Sequence, residues 1–202
     1  MAAIADACRS GTLDAEVALV ISDRPDARIL EEARERNLET RILAPGPFKA
    51  KLSDEAEQLT INLLREAAVD WVLLAGFMRI IKADFLRAFP ERIVNIHPSL
   101  LPSFPGLDAP TQALAYGVQV TGTTVHMVDQ GIDTGAIIAQ EAVRVEPNDT
   151  PGSLHDRIKK AEHQLYPRAV ADLVSGRIRV EGREVIRTTS GTIQHKTSNT
   201  QA

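Results

Sequence analysis

Ile93-Val94-Asn95-Ile96-His97-Pro98-Ser99-Leu100-Leu101-Pro102-Ser103-Phe104-Pro105-Gly106 joins a β-branched apolar run to a proline-stiffened loop through two polar side chains. The apolar run predicts a buried strand, and alternation along it sets Asn95 and His97 on one face at its carboxyl end. Open α/β sheets gather their ligands at that end of the strands. Pro98, Pro102, Pro105 and Gly106 restrict the loop that follows, so it has few conformations to lose when a ligand binds.

Working outward, strands and helices alternate. On the amino side, residues 71–75 read as a strand ending at Gly76-Phe77-Met78-Arg79, with a short helix over 82–89. A helix over 53–67 has Ser53 as its cap, Asp54 and Glu55 in its first turn, and an apolar stripe of Leu59, Leu63 and Leu64. Residues 16–22 form a continuous apolar run, the mark of a strand covered on both faces. A charged helix to about Asn37 and a short strand over 40–43 follow it, and residues 1–9 open the chain as a helix. On the carboxyl side come a helix over 107–116, two β-rich segments over 122–128 and 136–145, and the longest helical stretch, 151–174. Residues 177–186 predict an edge hairpin, and 187–202 are too polar to order themselves. The expected architecture is α/β: a mostly parallel, doubly wound, Rossmann-like sheet flanked by helices, as one domain over 1–186 with a tail over 187–202.

Composition narrows the partners. A chain of 202 residues with 44% hydrophobic content can bury a sizeable core. A formal net charge of −4 without a basic run offers no footprint for nucleic acid or an anionic membrane. No stretch approaches the ~20 apolar residues of a membrane span. The expectation is a cytoplasmic protein acting on small molecules. The single cysteine, Cys8, can form no internal disulfide and argues against a zinc site, so no metal is expected.

The chemistry converges on a few residues. A histidine near neutrality can carry a proton, and an amide NH2 can donate to a developing oxyanion, so His97 and Asn95 together suit acyl-type transfer. Asp133, in the glycine-flanked segment Asp129-Gln130-Gly131-Ile132-Asp133-Thr134-Gly135, is the carboxylate best placed to orient His97. Ser99 lacks the surroundings of a nucleophile elbow. Each residue also has a plain structural reading. Asn95 could cap the loop, Asp133 could close an Asx turn, and Phe77 and Met78 could be core. His126, in mid-strand, reads as a core or supporting group.

The resemblance is more specific than the spacing. Asn95-Ile96-His97-Pro98-Ser99-Leu100-Leu101-Pro102 with Phe104-Pro105-Gly106 closely resembles the signature of the folate-dependent formyltransferases. Ala75-Gly76-Phe77-Met78-Arg79-Ile80 is similar to that family's folate-pocket segment, Asp129 to Gly135 to its aspartate loop, and Glu162-His163-Gln164-Leu165-Tyr166-Pro167 to its late helix; the likeness runs over about 1–182. It implies transfer of a formyl group from 10-formyltetrahydrofolate to the amino group of glycinamide ribonucleotide, with no metal, by a monomer or homodimer. Asn95, His97 and Asp133 match the catalytic trio, with Asp133 holding His97 charged. Phe77, Met78, Arg79, Ile80 and Ile81, with Asp129, Gln130, Gly131 and Ile132, match the folate-binding segments, and Pro98 and Glu162 match contacts to the ribonucleotide. Related activities within the family are formyltetrahydrofolate deformylase and methionyl-tRNA formyltransferase; a folate-binding module without turnover is the non-enzymatic alternative. The family pattern also carries a first strand and a phosphate-binding loop ahead of the residue that matches Met1. The sheet is therefore expected to lack that strand, and residues 1–202 to be weakly active or inactive.

Overall fold

A computed structural model describes residues 1–188. Helix α1 (Ala2–Arg9) leads to strand β1 (Val20–Ser22), helix α2 (Arg28–Glu35) and strand β2 (Thr40–Ile42), which pairs with β1 in parallel. Helix α3 (Asp54–Glu66) precedes β3 (Val72–Leu74), helix α4 (Ala83–Ala88) and β4 (Ile93–His97), which lies parallel to β3. Helix α5 (Ala109–Tyr116), β5 (Val120–Met127), β6 (Ile137–Arg144) and helix α6 (Pro151–Val174) complete the main body. β5 and β6 extend the β3–β4 pair in antiparallel fashion, giving the order β3-β4-β5-β6. The α/β architecture expected from the alternation of elements is the one found.

Local rules explain most boundaries. The Ser53 hydroxyl accepts from the Ala56 amide at 3.1 Å, and Asp54, Glu55 and Glu57 occupy the first turn of α3, where the helix dipole favours negative charge. The buried face of α3 keeps Leu64 of the expected leucine stripe but not Leu59. Ala56, Thr60, Ile61 and Leu64, at spacings of three and four, face the core, while Leu59 is 50% exposed. The strand expected over 16–22 begins only at Val20, because β2 offers a partner to Val20–Ser22 alone. The expected hairpin forms as β7 (Ile178–Glu181) and β8 (Glu184–Arg187), but among the described residues it pairs only with itself and adds no edge to the main sheet. Its Ile178 packs into the core. β8 runs one residue past the expected domain end at 186, and the rest of the expected tail, 189–202, lies outside the described residues.

Two features place the site. Tyr166, buried on α6, donates from its hydroxyl to the carbonyls of Leu74 (2.9 Å) and Val94 (3.1 Å), pinning the helix across β3 and β4. A slot of about 930 Å³ separates the β1–β2 pair from β3. It is walled by Ile4 and Val170 on one side of the sheet layer and by Leu64 and Phe85 on the other. Among the described residues, β1 pairs only with β2 and β3 only with β4, so each has one edge without a strand. No helix among them is long and apolar enough to cross a membrane.

Candidate active site

His97 ends β4 and is 5% exposed. Its Nε2 lies 2.9 Å from the carbonyl of Phe104, which can only accept, so that nitrogen carries a hydrogen. Phe104 stands in the left-handed region (φ 56°), which turns its carbonyl back onto the ring. The loop between them is pinned to β5. Thr124 donates from Oγ1 to the Ser99 carbonyl (2.7 Å) and accepts from the Leu101 amide (3.0 Å) and from Gln140 Nε2 (3.0 Å). The Ser99 hydroxyl is committed to the carbonyl of Ser103 at 2.5 Å, which removes it as a nucleophile.

The other ring nitrogen faces Asp133. His97 Nδ1 is 3.3 Å from Asp133 Oδ2, the same oxygen that accepts from the Gly106 amide at 2.7 Å. Asp133 Oδ1 lies 3.6 Å from His126 Nε2. Burial would raise the Asp133 carboxyl, but its polar surroundings, the Gly106 amide and His97 among them, hold its pKa below the ordinary carboxylate value. For His97 the balance runs the other way. Burial lowers its pKa, and the opposing Phe104 carbonyl and Asp133 charge do not fully compensate. Asp133 thus favours the charged ring, while burial opposes it. A ring that gains and loses its proton readily suits a proton carrier.

Asn95 sits opposite His126 in the β4–β5 register, with its Nδ2 3.2 Å from His126 Nε2. The three expected residues therefore meet at one point, and His126 joins them. Its signal was absent from local spacing, because only the pairing of β4 with β5 brings position 126 beside position 95.

The remaining expected residues divide by exposure. Met78 (68%) and Ile80 (49%) after β3, and Ile132 (59%) in the aspartate loop, hold large apolar side chains in solvent, as a ligand-contacting rim would. Ile81 instead packs into the core, and Phe77, half-buried, packs against it. Arg79 turns inward: Nε donates to Asp23 Oδ2 at 2.5 Å and Nη1 to the carbonyls of Phe48 (2.6 Å) and Lys49 (3.1 Å), tying the segment to two other loops. Asp129 closes its own loop by accepting from the Gly131 amide and Thr134 Oγ1, while Gln130 is exposed. Pro98 is half-buried beside His97. Glu162, half-buried on α6, has its pKa raised by burial, partly offset by Lys159 and by Thr123. Thr123 in turn donates to the His97 carbonyl at 3.1 Å.

A buried imidazole and carboxylate beside a held amide, at the carboxyl end of α/β strands and with the adjacent serine engaged, define an enzyme of direct acyl-group chemistry. Residues 1–170 match the formyl transferase family, and the chain belongs to that family. It is 43% identical over 161 residues to the phosphoribosylglycinamide formyltransferase of Bacillus subtilis, covering 80% of this chain and 82% of that protein. It is also 47% identical over 176 residues to the trifunctional purine biosynthetic protein adenosine-3 of Drosophila melanogaster, covering 86% of this chain but only 13% of the fly protein. Among solved structures, glycinamide ribonucleotide transformylase 1 of Symbiobacterium toebii superimposes with a TM-score of 0.87 at 46% identity, over 93% of this chain and 88% of that one. A formyltetrahydrofolate deformylase of Pseudomonas syringae shares the fold at 27% identity with a TM-score of 0.83, over 93% of this chain and 61% of that one.

Proposed function

We propose that the chain transfers the formyl group of 10-formyltetrahydrofolate to the amino group of glycinamide ribonucleotide, a step of purine synthesis. The convergence of Asn95, His97 and Asp133 carries this reading, with His97 Nδ1 3.3 Å from Asp133 Oδ2. When the amine adds to the formyl carbon, the carbonyl oxygen becomes an oxyanion, which an N–H of Asn95 and the Nδ1–H of protonated His97 are suited to receive. Because the Phe104 carbonyl engages Nε2, Nδ1 is the nitrogen that handles the reaction's proton. The attacking nitrogen sheds one proton toward Asp133, directly or through water. The departing folate nitrogen takes one from His97, so the site ends with the protons it began with. Breaking the bond from the formyl carbon to that nitrogen completes the transfer.

Both substrates are small molecules, as expected of a cytoplasmic enzyme that works as a monomer or homodimer. Met78, Ile80 and Ile132 supply an apolar rim for the folate, and Pro98 and Glu162 face the ribonucleotide. The domain runs from residue 1 through the β7–β8 hairpin on this reading.

The test follows both products while 10-formyltetrahydrofolate is supplied with and without the ribonucleotide. Formylated ribonucleotide is expected, with little free formate when the amine is withheld. Formate release that ignores the amine assigns a hydrolase instead, and folate binding without either product assigns a binding module.

A further inference from the structure

His126 is 2% exposed in the middle of β5, where an ordinary core histidine needs only to satisfy its two nitrogens. Its surroundings do more than that. Nδ1 lies 2.8 Å from the carbonyl of Met127, which can only accept, so Nδ1 carries a hydrogen, and in the tautomer this selects Nε2 is a bare acceptor. The pairing of β5 with β6 is irregular at this point: Val125 lies opposite Ala139 and His126 opposite Ile137, so Ile138 is passed over and position 126 is re-aimed. Gly135 packs tightly against the same carbonyl, since a Cβ there would lie 1.9 Å from the Met127 oxygen. The receiving carbonyl, the bulge and the ring are thus built together.

A bare Nε2 can only accept, and Asn95 Nδ2 stands 3.2 Å from it. That contact decides which end of the Asn95 amide faces the ring. With one N–H held by His126, the planar amide group has the direction of its second N–H set as well. Without the ring, the amide could turn over and present its oxygen where an oxyanion must form, converting a stabilising contact into a repulsive one.

We propose that His126 is a positioning residue for formyl transfer: its bare Nε2 locks the Asn95 amide with the NH2 group toward the reacting carbonyl. The inference rests on the function proposed above, because only a developing oxyanion makes the orientation of Asn95 matter to rate. His126, buried in β5, acts through Asn95.

The experiment combines a kinetic cycle with a measurement that needs no turnover. His126→Asn keeps a donor for the Met127 carbonyl but is too short to reach Asn95, whereas His126→Gln puts an oxygen near the Nε2 position. Loss of one orienting hydrogen bond predicts a fall in kcat of roughly tenfold for His126→Asn, with both Michaelis constants nearly unchanged. His126→Gln should recover most of it. In an Asn95→Ala background His126→Asn should change kcat by less than about twofold, since the group it positions is gone. Full additivity in that cycle, or a loss confined to the Michaelis constants, overturns the proposal, and a merely misfolded variant would show additivity. Independently, the ¹⁵N resonances of His126 in the wild-type protein should report the Nδ1–H tautomer with a hydrogen-bonded, unprotonated Nε2 that changes in Asn95→Ala; an Nε2–H tautomer overturns the lock even if the reaction proves to be hydrolysis. Formate release that ignores the ribonucleotide would overturn only the assigned acceptor, and the same cycle is then read on that rate.

Discussion

The Gly106 amide donates a 2.7 Å hydrogen bond to Asp133 Oδ2, joining the proline-rich loop after β4 to the aspartate loop between β5 and β6. The same carboxylate oxygen faces His97 Nδ1 at 3.3 Å. One oxygen therefore sets both the closure of the loop and the orientation of the ring. Asp133→Asn can retain an oxygen for the Gly106 amide while losing the charge that draws a proton onto His97. kcat should fall by roughly a hundredfold or more, the range of general acid–base contributions, with the melting temperature nearly unchanged. Steady-state rates and a thermal melt on the same preparation check this, and a variant within threefold of the parent rate would remove Asp133 from the chemistry.

Burial of His97 sets a pH dependence of stability. Its pKa in the folded protein lies below the ordinary 6.5, so between the two values the unfolded chain binds more protons than the folded one. Stability from the neutral ring is full above the unfolded value and is lost as pH falls through the folded one. Urea midpoints should therefore decline as pH is lowered from about 7 toward about 5. His155 is shifted in the same direction by burial, so the His97 share is read from the difference between the parent and His97→Gln. Parallel curves for the two proteins would contradict the assignment.

Gly135 allows the aspartate loop to approach β5. A Cβ at this position would meet the Met127 oxygen at 1.9 Å and its carbonyl carbon at 2.7 Å, and backbone cannot rotate aside as a side chain can. Gly135→Ala should cost about 1–3 kcal/mol in urea denaturation, as overpacking does, and should lower kcat because Asp133 lies two residues away. Unchanged stability would show that the loop can shift freely.

How far the site was legible before the structure depends on what each residue contributes. Asn95, His97 and Asp133 carry their chemistry in their side chains and stand in recognisable local patterns, so sequence alone could nominate them. His126 owes its part to the register of β4 with β5, in which it lies opposite Asn95, and no short-range spacing encodes that pairing. The Phe104 carbonyl and the Gly106 amide are backbone groups, present at nearly every position and therefore silent in composition. The order of elements was readable from hydrophobic period. Leu59 was misplaced because a leucine adjoining a good stripe resembles a member of it, and only the partners of α3 decide which face is buried. The strand over 16–22 was overextended for a related reason: apolar character can mark a wall of the slot as well as a paired strand.

Arg79 illustrates a residue whose family position and whose contacts point to different kinds of work. Its guanidinium reaches Asp23 and the carbonyls of Phe48 and Lys49, so it braces the segment from Phe77 to Ile81 from behind. Lysine cannot span the same set of partners. Arg79→Lys should raise the Michaelis constant for the formyl donor by roughly five- to tenfold, about the worth of one hydrogen bond, while that for the ribonucleotide stays within twofold. Equal effects on both constants would mean that the brace serves the whole site.

The slot between β1 and β3 is lined largely by apolar side chains. Val20–Ser22 and Val72–Leu74 each have a strand on one edge only among the described residues, and about 930 Å³ lies between them. Open edges and apolar walls in one place should bind an amphiphilic dye such as ANS in a saturable way. The slot reaches Ser22, Asp23 and Gly76 at the carboxyl ends of the two strands. Dye fluorescence that rises without saturating would show that the slot offers no defined apolar site.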